Sequence, residues 1–536
     1  MTEPQPAGTG KAQPPAPKRN AFTRFLDTVE WLGNLLPHPV TLFFLLAAGM
    51  VLLSGLFGWL GVAVDDPRPV GAAGRADDGM IRAVSLLSAD GVRRIFSSLV
   101  TNFTSFAPLG VVLTAMLGIG VAEKSGVLSA AVRGMVLGAS KNVVTVVIVF
   151  AGVMSNTASE LGYVVLIPMA GAVYYSLGRH PLAGMAAAFA GVSGGYSANL
   201  LIGTIDPLLA GITEEAARLI DPTYAVTATA NWYFAAASTL VVTAVGWAVS
   251  TYIVEPKLGA YNPDDADPTA LDGAAASPLT AIEKKGLKVT GLVLLGVLAV
   301  MLLSVVPSWG ILRDPVTGDA MRSPFFSGFA VWILLFFLAM GWAYGKVVGT
   351  IKNDRDVIDG MAKSLGSLGL YLVIIFFAAQ FVAFFNWSNL GSITAVKGAQ
   401  TLEALGLTGP VVFIGFILIC CMVNLMIGSA SAQWAMTAPI FVPMLMLLGY
   451  SPELIQAAYR IGDSTTNIIT PMMSYFGLIL AWAVRYDKKV GIGTMIAMML
   501  PYSIFFTIVW TIFFFVWVFA LGMPVGPGAP TFYSIG

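Results

Sequence analysis

Charge is scarce in this chain: 29 Lys and Arg and 29 Asp and Glu among 536 residues, with a formal net charge of zero. So sparse and balanced a set leaves no basic footprint for nucleic acid. Cysteine is nearly absent. The two present, Cys420 and Cys421, are adjacent inside an apolar run, so no disulfide framework exists. The two histidines, His38 and His180, lie far apart, and no His/Cys cluster points to a transition metal. No nucleotide-binding P-loop motif occurs, which turns the energetics toward ion gradients rather than direct use of ATP. Residues 1–18 are rich in Pro, Ala and Gly and lack the apolar core of a cleavable signal peptide. They are predicted to be disordered, with the first membrane helix retained in the mature protein.

What the chain does have is apolar length. Hydrophobic residues make up 57% of it, and apolar runs of about 18 residues or more, enough to cross a bilayer, recur. An all-α polytopic membrane protein is expected. Full spans are predicted near 36–61, 105–122, 226–254, 287–306, 325–343, 365–386 and 491–522. Four segments between them are irregular. Residues 143–176 and 410–450 each hold two apolar arms, joined by Ser155 to Ser159 and by Gly428 to Gln433. Each arm is short for about 30 Å of hydrocarbon, so each pair is predicted to form a re-entrant hairpin. Residues 181–212 and 452–484 carry Gly191-Val192-Ser193-Gly194-Gly195 and Gly462-Asp463-Ser464-Thr465-Thr466 at their centres. Glycine frees the backbone and hydroxyls compete for its hydrogen bonds, so both segments are predicted to unwind at mid-depth. The sum is nine transmembrane helices, two of them broken, plus two re-entrant hairpins.

These irregular segments come in pairs. Setting Pro181 against Pro452, 271 positions later, brings Ala186/Ala457, Ala187/Ala458, Gly191/Gly462 and Ser193/Ser464 into register. The strings Ser155-Asn156-Thr157-Ala158-Ser159 and Ala430-Ser431-Ala432-Gln433-Trp434 are set side by side in the same comparison. Interrupted apolar segments at matching places in two halves mark the solute site of secondary transporters. The expected layout is a disordered cytoplasmic tail over 1–30, a first membrane half over 31–254, a cytoplasmic linker over 255–286, a second half over 287–522 and a C-terminal tail over 523–536. With the N-terminus inside, the short inner loops carry Lys124, Arg133, Lys141, Arg179, Lys346, Lys352, Arg355, Lys363, Arg485, Lys488 and Lys489. The loops predicted outside near 213–225 and 387–409 carry only Arg218 and Lys397, in keeping with the positive-inside rule, while the longer loop at 62–104, also assigned outside, carries arginines interspersed with aspartates. An inverted repeat in the inner membrane follows, its two hairpins entering from opposite sides.

Asp206, Arg460 and Asp463 lie within otherwise apolar or small-polar membrane segments. At mid-membrane each costs about 2.5–3.5 kcal/mol on insertion scales, so each should face protein or water. Arg460 and Asp463, three apart, are placed to pair on one helical face. Either the pair is structural, or Arg460 is the cation for a substrate carboxylate and Asp463 orients it or takes up a proton. Asp206 has no cation near it in sequence, which suits a coupling-ion or proton role; capping a half-helix is the competing account. Asn156, Asn199 and Asn467, with Ser155, Thr157, Ser197, Ser431 and Thr466, could supply neutral oxygens for sodium or cap half-helices. Trp434 follows the second hairpin tip, where it could stack on a flat solute. Pro452 and Pro471 bracket the second broken segment.

At these residues the chain resembles the p-aminobenzoyl-glutamate transporter (AbgT) family of the ion-transporter superfamily. The resemblance runs from about Arg24 to Phe519. It is carried by Ser155-Asn156-Thr157-Ala158-Ser159-Glu160, Gly203-Thr204-Ile205-Asp206-Pro207, Ser429-Ala430-Ser431-Ala432-Gln433-Trp434 and Tyr459-Arg460-Ile461-Gly462-Asp463-Ser464-Thr465-Thr466-Asn467. It implies a homodimer with a scaffold region and a transport region. It also implies that Asp206, Ser431, Trp434, Pro452, Arg460, Asp463 and Pro471 matter for transport, and that Asn156, Asn199 and Asn467 sit near a sodium ion, the one cofactor expected. The function it implies is cation-coupled transport of p-aminobenzoyl-glutamate or related aromatic amine and carboxylate solutes. Proton-driven export of sulfonamide-type antimetabolites and sodium–dicarboxylate symport are the alternatives.

Other classes fit less well. An intramembrane aspartyl protease would pair Asp206 with Asp463, but it needs two carboxylates sharing a proton, and Arg460 beside Asp463 opposes that. A passive channel leaves the paired hairpins unexplained. The chain is therefore read as a transporter and not as an enzyme.

Overall fold

The computed structural model describes residues 37–68, 75–158, 162–263, 278–320, 323–471 and 473–534. The tail over 1–30, Ser159 and Glu160 of the first hairpin tip, and most of the acidic loop near 261–278 fall outside them. Among the described residues, eight helices are long and apolar enough to cross a membrane. Seven are the spans Pro39–Trp59, Ala107–Ser125, Trp232–Val249, Ala281–Val305, Phe329–Val348, Gly369–Trp387 and Ile492–Phe515. The eighth, Ala430–Leu447, is the second arm of the second hairpin, and its length qualifies it even though it turns back.

Local chemistry sets the helix ends. Thr280 and Glu283 form a reciprocal capping box, the Glu283 carboxylate accepting the Thr280 N–H at 2.8 Å and the Thr280 hydroxyl accepting the Glu283 N–H at 3.3 Å. That helix therefore begins at Ala281, inside the segment expected to be linker, with Lys284 and Lys285 on its exposed first turns. Gly126 and Gly349 close two other spans in the left-handed conformation. The long connection at 62–104 carries structure of its own. Ala63–Asp65 pairs antiparallel with Met80–Arg82, a small exception to an all-helical chain, and Ser88 caps the helix Ala89–Thr104. Val64 and Ile81 bury the ribbon against Phe385, Leu390, Ile393 and Val396.

The first hairpin consists of Val144–Ser155, a tight turn at Asn156–Ala158, and an arm from Gly162 that becomes regular helix over Ile167–Ser176. The second consists of Val412–Met426 and Ala430–Leu447. The first broken helix runs Pro181–Phe189, widens by a π-turn over Ala190–Gly194, loses regularity, and resumes at Ile205–Ala217. The second runs Pro452–Asn467 and resumes at Phe476–Tyr486.

The second break does not fall where the sequence predicts it. Gly462-Asp463-Ser464-Thr465-Thr466 does not unwind; it lies inside the helix Pro452–Asn467, and the break comes after Asn467. The hydroxyls of Thr465, Thr466 and Thr470 donate to the carbonyls four residues earlier, at 2.9, 3.0 and 2.7 Å, and so follow the helix rather than compete with it. Pro471, with no N–H, then stands in the break.

The helices sort into two groups. In one, Ala107–Ser125 packs between Phe329–Val348 and Asp354–Ser367, Ala281–Val305 lies on Phe329–Val348, and Gly369–Trp387 lies on Pro39–Trp59. In the other, each hairpin packs on the broken helix of its own half, and Trp232–Val249 and Ile492–Phe515 join them. Ala107–Ser125 touches Ile205–Ala217 across the seam.

Candidate functional site

The first arm of each hairpin meets its broken helix in the same way. Val144 opens one arm and Val412 the other, 268 positions later. At that spacing Asn156 corresponds to Asn424. The Asn156 side-chain amide donates to the Val192 carbonyl at 2.8 Å, and the Asn424 amide to the Asp463 carbonyl at 2.7 Å. Val192 and Asp463 are themselves 271 positions apart. One position before each acceptor sits a glycine pressed onto the hairpin. A Cβ on Gly191 would lie 2.4 Å from the Val149 carbonyl oxygen, and one on Gly462 would lie 2.7 Å from the Ile417 carbonyl oxygen. The repeat is thus real, but the side-by-side placing of Ser155 and Ala430 is out of step for the first arms. The second arms also open 268 positions apart, at Gly162 and Ala430, and end 271 apart, at Ser176 and Leu447, so the offset changes within the second arm.

Around the first junction the hydrogen bonds close on themselves. The Thr157 hydroxyl lies 2.9 Å from both the Met154 carbonyl and Asn199 Oδ1, and the same Oδ1 accepts the Leu201 N–H at 3.1 Å. The Ser155 hydroxyl donates to the Gly152 carbonyl at 2.7 Å. At the second junction Asn467 Oδ1 accepts from Asn424 at 2.9 Å. Here several buried oxygens lack hydrogen bonds among the described residues: Asn424 Oδ1, Gln433 Oε1 and both carboxylate oxygens of Asp463.

The expected Arg460–Asp463 pair is not formed. Arg460 Nη2 instead donates to Asp206 Oδ1 at 2.6 Å, tying the two halves together across 254 positions of sequence. Asp206 does have a cation, brought by the fold from the other repeat, and its Oδ2 accepts the Gly203 N–H at 2.7 Å from the loop that enters the half-helix, whose N-terminus has no side-chain cap. Trp434 is fully buried. Its ring stacks on Tyr459 at 4.2 Å and its N–H donates to the Thr213 hydroxyl at 2.9 Å. That hydroxyl lies 2.6 Å from Gln456 Oε1, so one cluster joins both broken helices to the second hairpin.

Between the two hairpin tips lies a cavity of about 310 Å³. Asn156, Tyr163, Ser431 and Asn467 line it with the half-helix starts Thr204–Ile205 and Ser429–Ala430. Tyr163 and Tyr475, one from each half, stack there at 4.6 Å with planes 5° apart. The opposite wall, from the other helix group, is Val112, Met116, Leu368 and Tyr371. None of the described residues lining this cavity is charged.

Residues 24–533 match the family described as "AbgT putative transporter family". The chain belongs to the AbgT transporter family. It is 37% identical over 514 residues to the p-aminobenzoyl-glutamate transport protein of Escherichia coli strain K12, covering 96% of this chain and 98% of that one. The YdaH transporter of Alcanivorax borkumensis, whose crystal structure is described as revealing an unusual topology, superimposes with a TM-score of 0.84 at 47% identity, over 92% of this chain and all of that one. MtrF of Neisseria gonorrhoeae, described as illuminating a class of antimetabolite efflux pumps, superimposes with a TM-score of 0.89 at 59% identity, over 95% of this chain and all of that one.

In this AbgT chain Asn156, Ser431 and Asn467 line the cavity, while Asp206, Trp434, Arg460 and Asp463 form the buried layer behind it. Pro452 lies elsewhere, at the far start of its helix. There Ser451 caps Leu454 and donates its hydroxyl to the Pro530 carbonyl at 2.5 Å, so the C-terminal segment straps the joint. Asn424 does not stand out in the sequence, although it is the one amide in the apolar run 411–427. Tyr163, Tyr475 and Tyr371 carry no signal there, because tyrosine near a membrane is common.

Proposed function

We propose that this AbgT protein is a cation-coupled transporter of p-aminobenzoyl-glutamate or a closely related aromatic amine carboxylate, acting as a homodimer in the inner membrane with its N-terminus in the cytoplasm. The observation that carries it is the cavity where both hairpin tips and both broken helices meet beside a stacked tyrosine pair. Its volume, about 310 Å³, is at the lower end for small-molecule sites, about 300 Å³ upward. Arg460 is held by Asp206, so the ligand carboxylates are assigned to the N-termini of Ile205–Ala217 and Ala430–Leu447, where backbone N–H groups and the helix dipole favour anions. The ring is assigned to Tyr163 and Tyr475. A proton or sodium ion is assigned to the second junction, because a buried carboxylate short of hydrogen bonds is costly and the side-chain oxygens of Asp463, Asn424 Oδ1 and Gln433 Oε1 accept no close hydrogen bond among the described residues. The proposed set for sodium otherwise remains Asn156, Asn199, Asn467, Ser155 and Thr157, and Asp206, Ser431, Trp434, Pro452, Arg460, Asp463 and Pro471 are the proposed transport residues. The helix group carrying the hairpins would move, as an elevator or by rocking, against the group around Ala107–Ser125.

Purified protein in liposomes, given labelled p-aminobenzoyl-glutamate under separately imposed sodium and proton gradients, tests this. Accumulation driven by inward sodium and lost in Asp463→Asn supports sodium-coupled import. The second reading is proton-driven export of sulfonamide-type antimetabolites, favoured by the uncharged cavity lining; countertransport driven by protons with no sodium response would establish it. Neither response would overturn both.

Tyr163→Ala is expected to weaken aromatic solutes by about three- to tenfold relative to aliphatic competitors, the size of one aromatic contact of about 0.5–1.5 kcal/mol. Trp434→Ala should reduce both alike, because its ring and N–H are engaged within the protein. Competition assays on the two variants distinguish them: a selective loss in Trp434→Ala would return the solute to Trp434.

A further inference from the structure

A second cavity, of about 490 Å³, lies on the other side of the first hairpin tip. Asn156 faces the first cavity and its neighbour Thr157 faces this one. One wall is the edge of Ala281–Val305, with Leu298 and Leu302; another is Phe329 and Phe336; the third is Leu201, in the interrupted part of the first broken helix. Leu298 and Leu302 are about half exposed, at 46% and 49%, so the cavity opens sideways into the bilayer rather than into water. The groove therefore follows the seam between the two helix groups, from the level of the hairpin tip to the loop after Val305.

At that loop the chemistry changes. Arg313 lines the mouth, its Nε donating to the Gly318 carbonyl at 2.8 Å and its Nη1 to the Val305 carbonyl at 2.8 Å. These bonds hold the guanidinium in place, and no carboxylate among the described residues pairs with it. Trp232 and Trp332 line the same groove, and the Trp232 N–H donates to the Leu200 carbonyl at 2.9 Å. Tryptophan is enriched at headgroup level.

A trough walled by carbon, open to lipid and closed at one end by a guanidinium with no carboxylate partner among the described residues has the charge pattern of a phospholipid in reverse. We propose that this groove binds a membrane phospholipid, one acyl chain lying along Leu298, Leu302 and Phe336 and the phosphate pairing with Arg313. A dicarboxylate solute does not suit it, since the apolar walls would strip its charges of water without replacement. The lipid fills the seam where the hairpin-bearing group would slide, and so it has to shift whenever the first hairpin tip moves. The site does not depend on which solute the first cavity takes.

The test uses full-length protein in liposomes containing phosphatidylglycerol with a photoactivatable group near the acyl terminus, with cross-linked residues mapped by mass spectrometry. Cross-links should concentrate on 298–306 and 325–337. Leu302→Trp, which fills the groove, should remove them while labelling of Ile508 and Ile512, exposed on another face, persists. Arg313→Gln should lower groove labelling by about fivefold, the weight of one basic contact to an anionic lipid. Thermal melting of each variant separates loss of the site from loss of the fold. Labelling spread evenly over all lipid-facing helices and unchanged by Leu302→Trp would overturn the proposal. So would displacement by p-aminobenzoyl-glutamate, which would make the groove a solute site, or protection by a second copy of the chain.

Discussion

Arg460→Ala is expected to abolish transport and to lower the amount of folded protein, two effects from one substitution. The guanidinium and the Asp206 carboxylate are both nearly fully buried, at 4% and 10% side-chain exposure, and lie 2.6 Å apart. Removing one partner leaves the other charged group dry and unpaired, which costs about 3–5 kcal/mol. Asp206→Asn keeps the shape and a hydrogen-bond acceptor while removing the negative charge, so the fold should survive it better than Arg460→Ala. Replacing both with apolar residues should recover much of the stability, because buried pairs are close to neutral against hydrophobic substitutes. Transport should stay absent in the double variant, since the pair is the charged one of two direct side-chain ties, among the described residues, between Ile205–Ala217 and Pro452–Asn467, Thr213–Gln456 being the other. Melting curves in detergent and uptake into liposomes read the two effects separately. Normal uptake by both single variants would reduce the pair to packing.

The second large effect is expected at the glycines of the two junctions. Gly191→Val and Gly462→Val should each destabilise the protein by at least about 1–3 kcal/mol, the range for overpacking a close contact. The reason is the neighbour in each case. Gly191 faces the backbone carbonyl of Val149, and Gly462 faces the Ile417 carbonyl with Cys420 Cβ 2.5 Å from a built Cβ. A carbonyl cannot rotate away as a side chain can, so the hairpin arm itself must lift, taking the Asn156–Val192 or Asn424–Asp463 hydrogen bond with it. Gly191 should be the more sensitive, because its nearest atom is closer and the neighbouring Gly152 leaves no flexible side chain to yield. Thermal unfolding of the two variants, with uptake measured below their midpoints, checks this. Unchanged melting at both sites would mean that the arms do not rest on the broken helices.

The same glycines mark the reach of sequence reasoning. Spacing alone identifies Gly191 and Gly462 as repeat partners, and their residue type predicts unwinding at both. At Gly191 the helix does widen and then break. At Gly462 it continues, and the glycine serves instead to bring two backbones together. Glycine in an apolar segment permits either outcome, and only the neighbouring helix selects between them. Threonine is equally two-sided: Thr465 and Thr466 are able to compete with the helix, yet their hydroxyls return to its own carbonyls. Over a longer range the ion pair behaves alike. A separation of three residues favours Arg460 with Asp463, but in the fold Arg460 reaches an aspartate 254 positions away.

Hydrophobic length, the placing of Gly, Pro and hydroxyl residues, and the matched spacing of two interrupted segments are properties of the sequence itself, since burial in lipid forces every backbone group to be satisfied within its own helix and leaves breaks visible. From these alone come the membrane class, the spans, the hairpins, the repeat and the set of candidate polar residues. Which of those residues meet was decided by tertiary structure: the Arg460–Asp206 tie, the burial of Trp434 on Tyr459, the hydrogen bond from Asn424 to the Asp463 carbonyl, and the tyrosine pair over the cavity. Each joins groups 25 or more positions apart. Side-chain type and spacing carry no record of such approaches, because they arise from packing one helix surface against another.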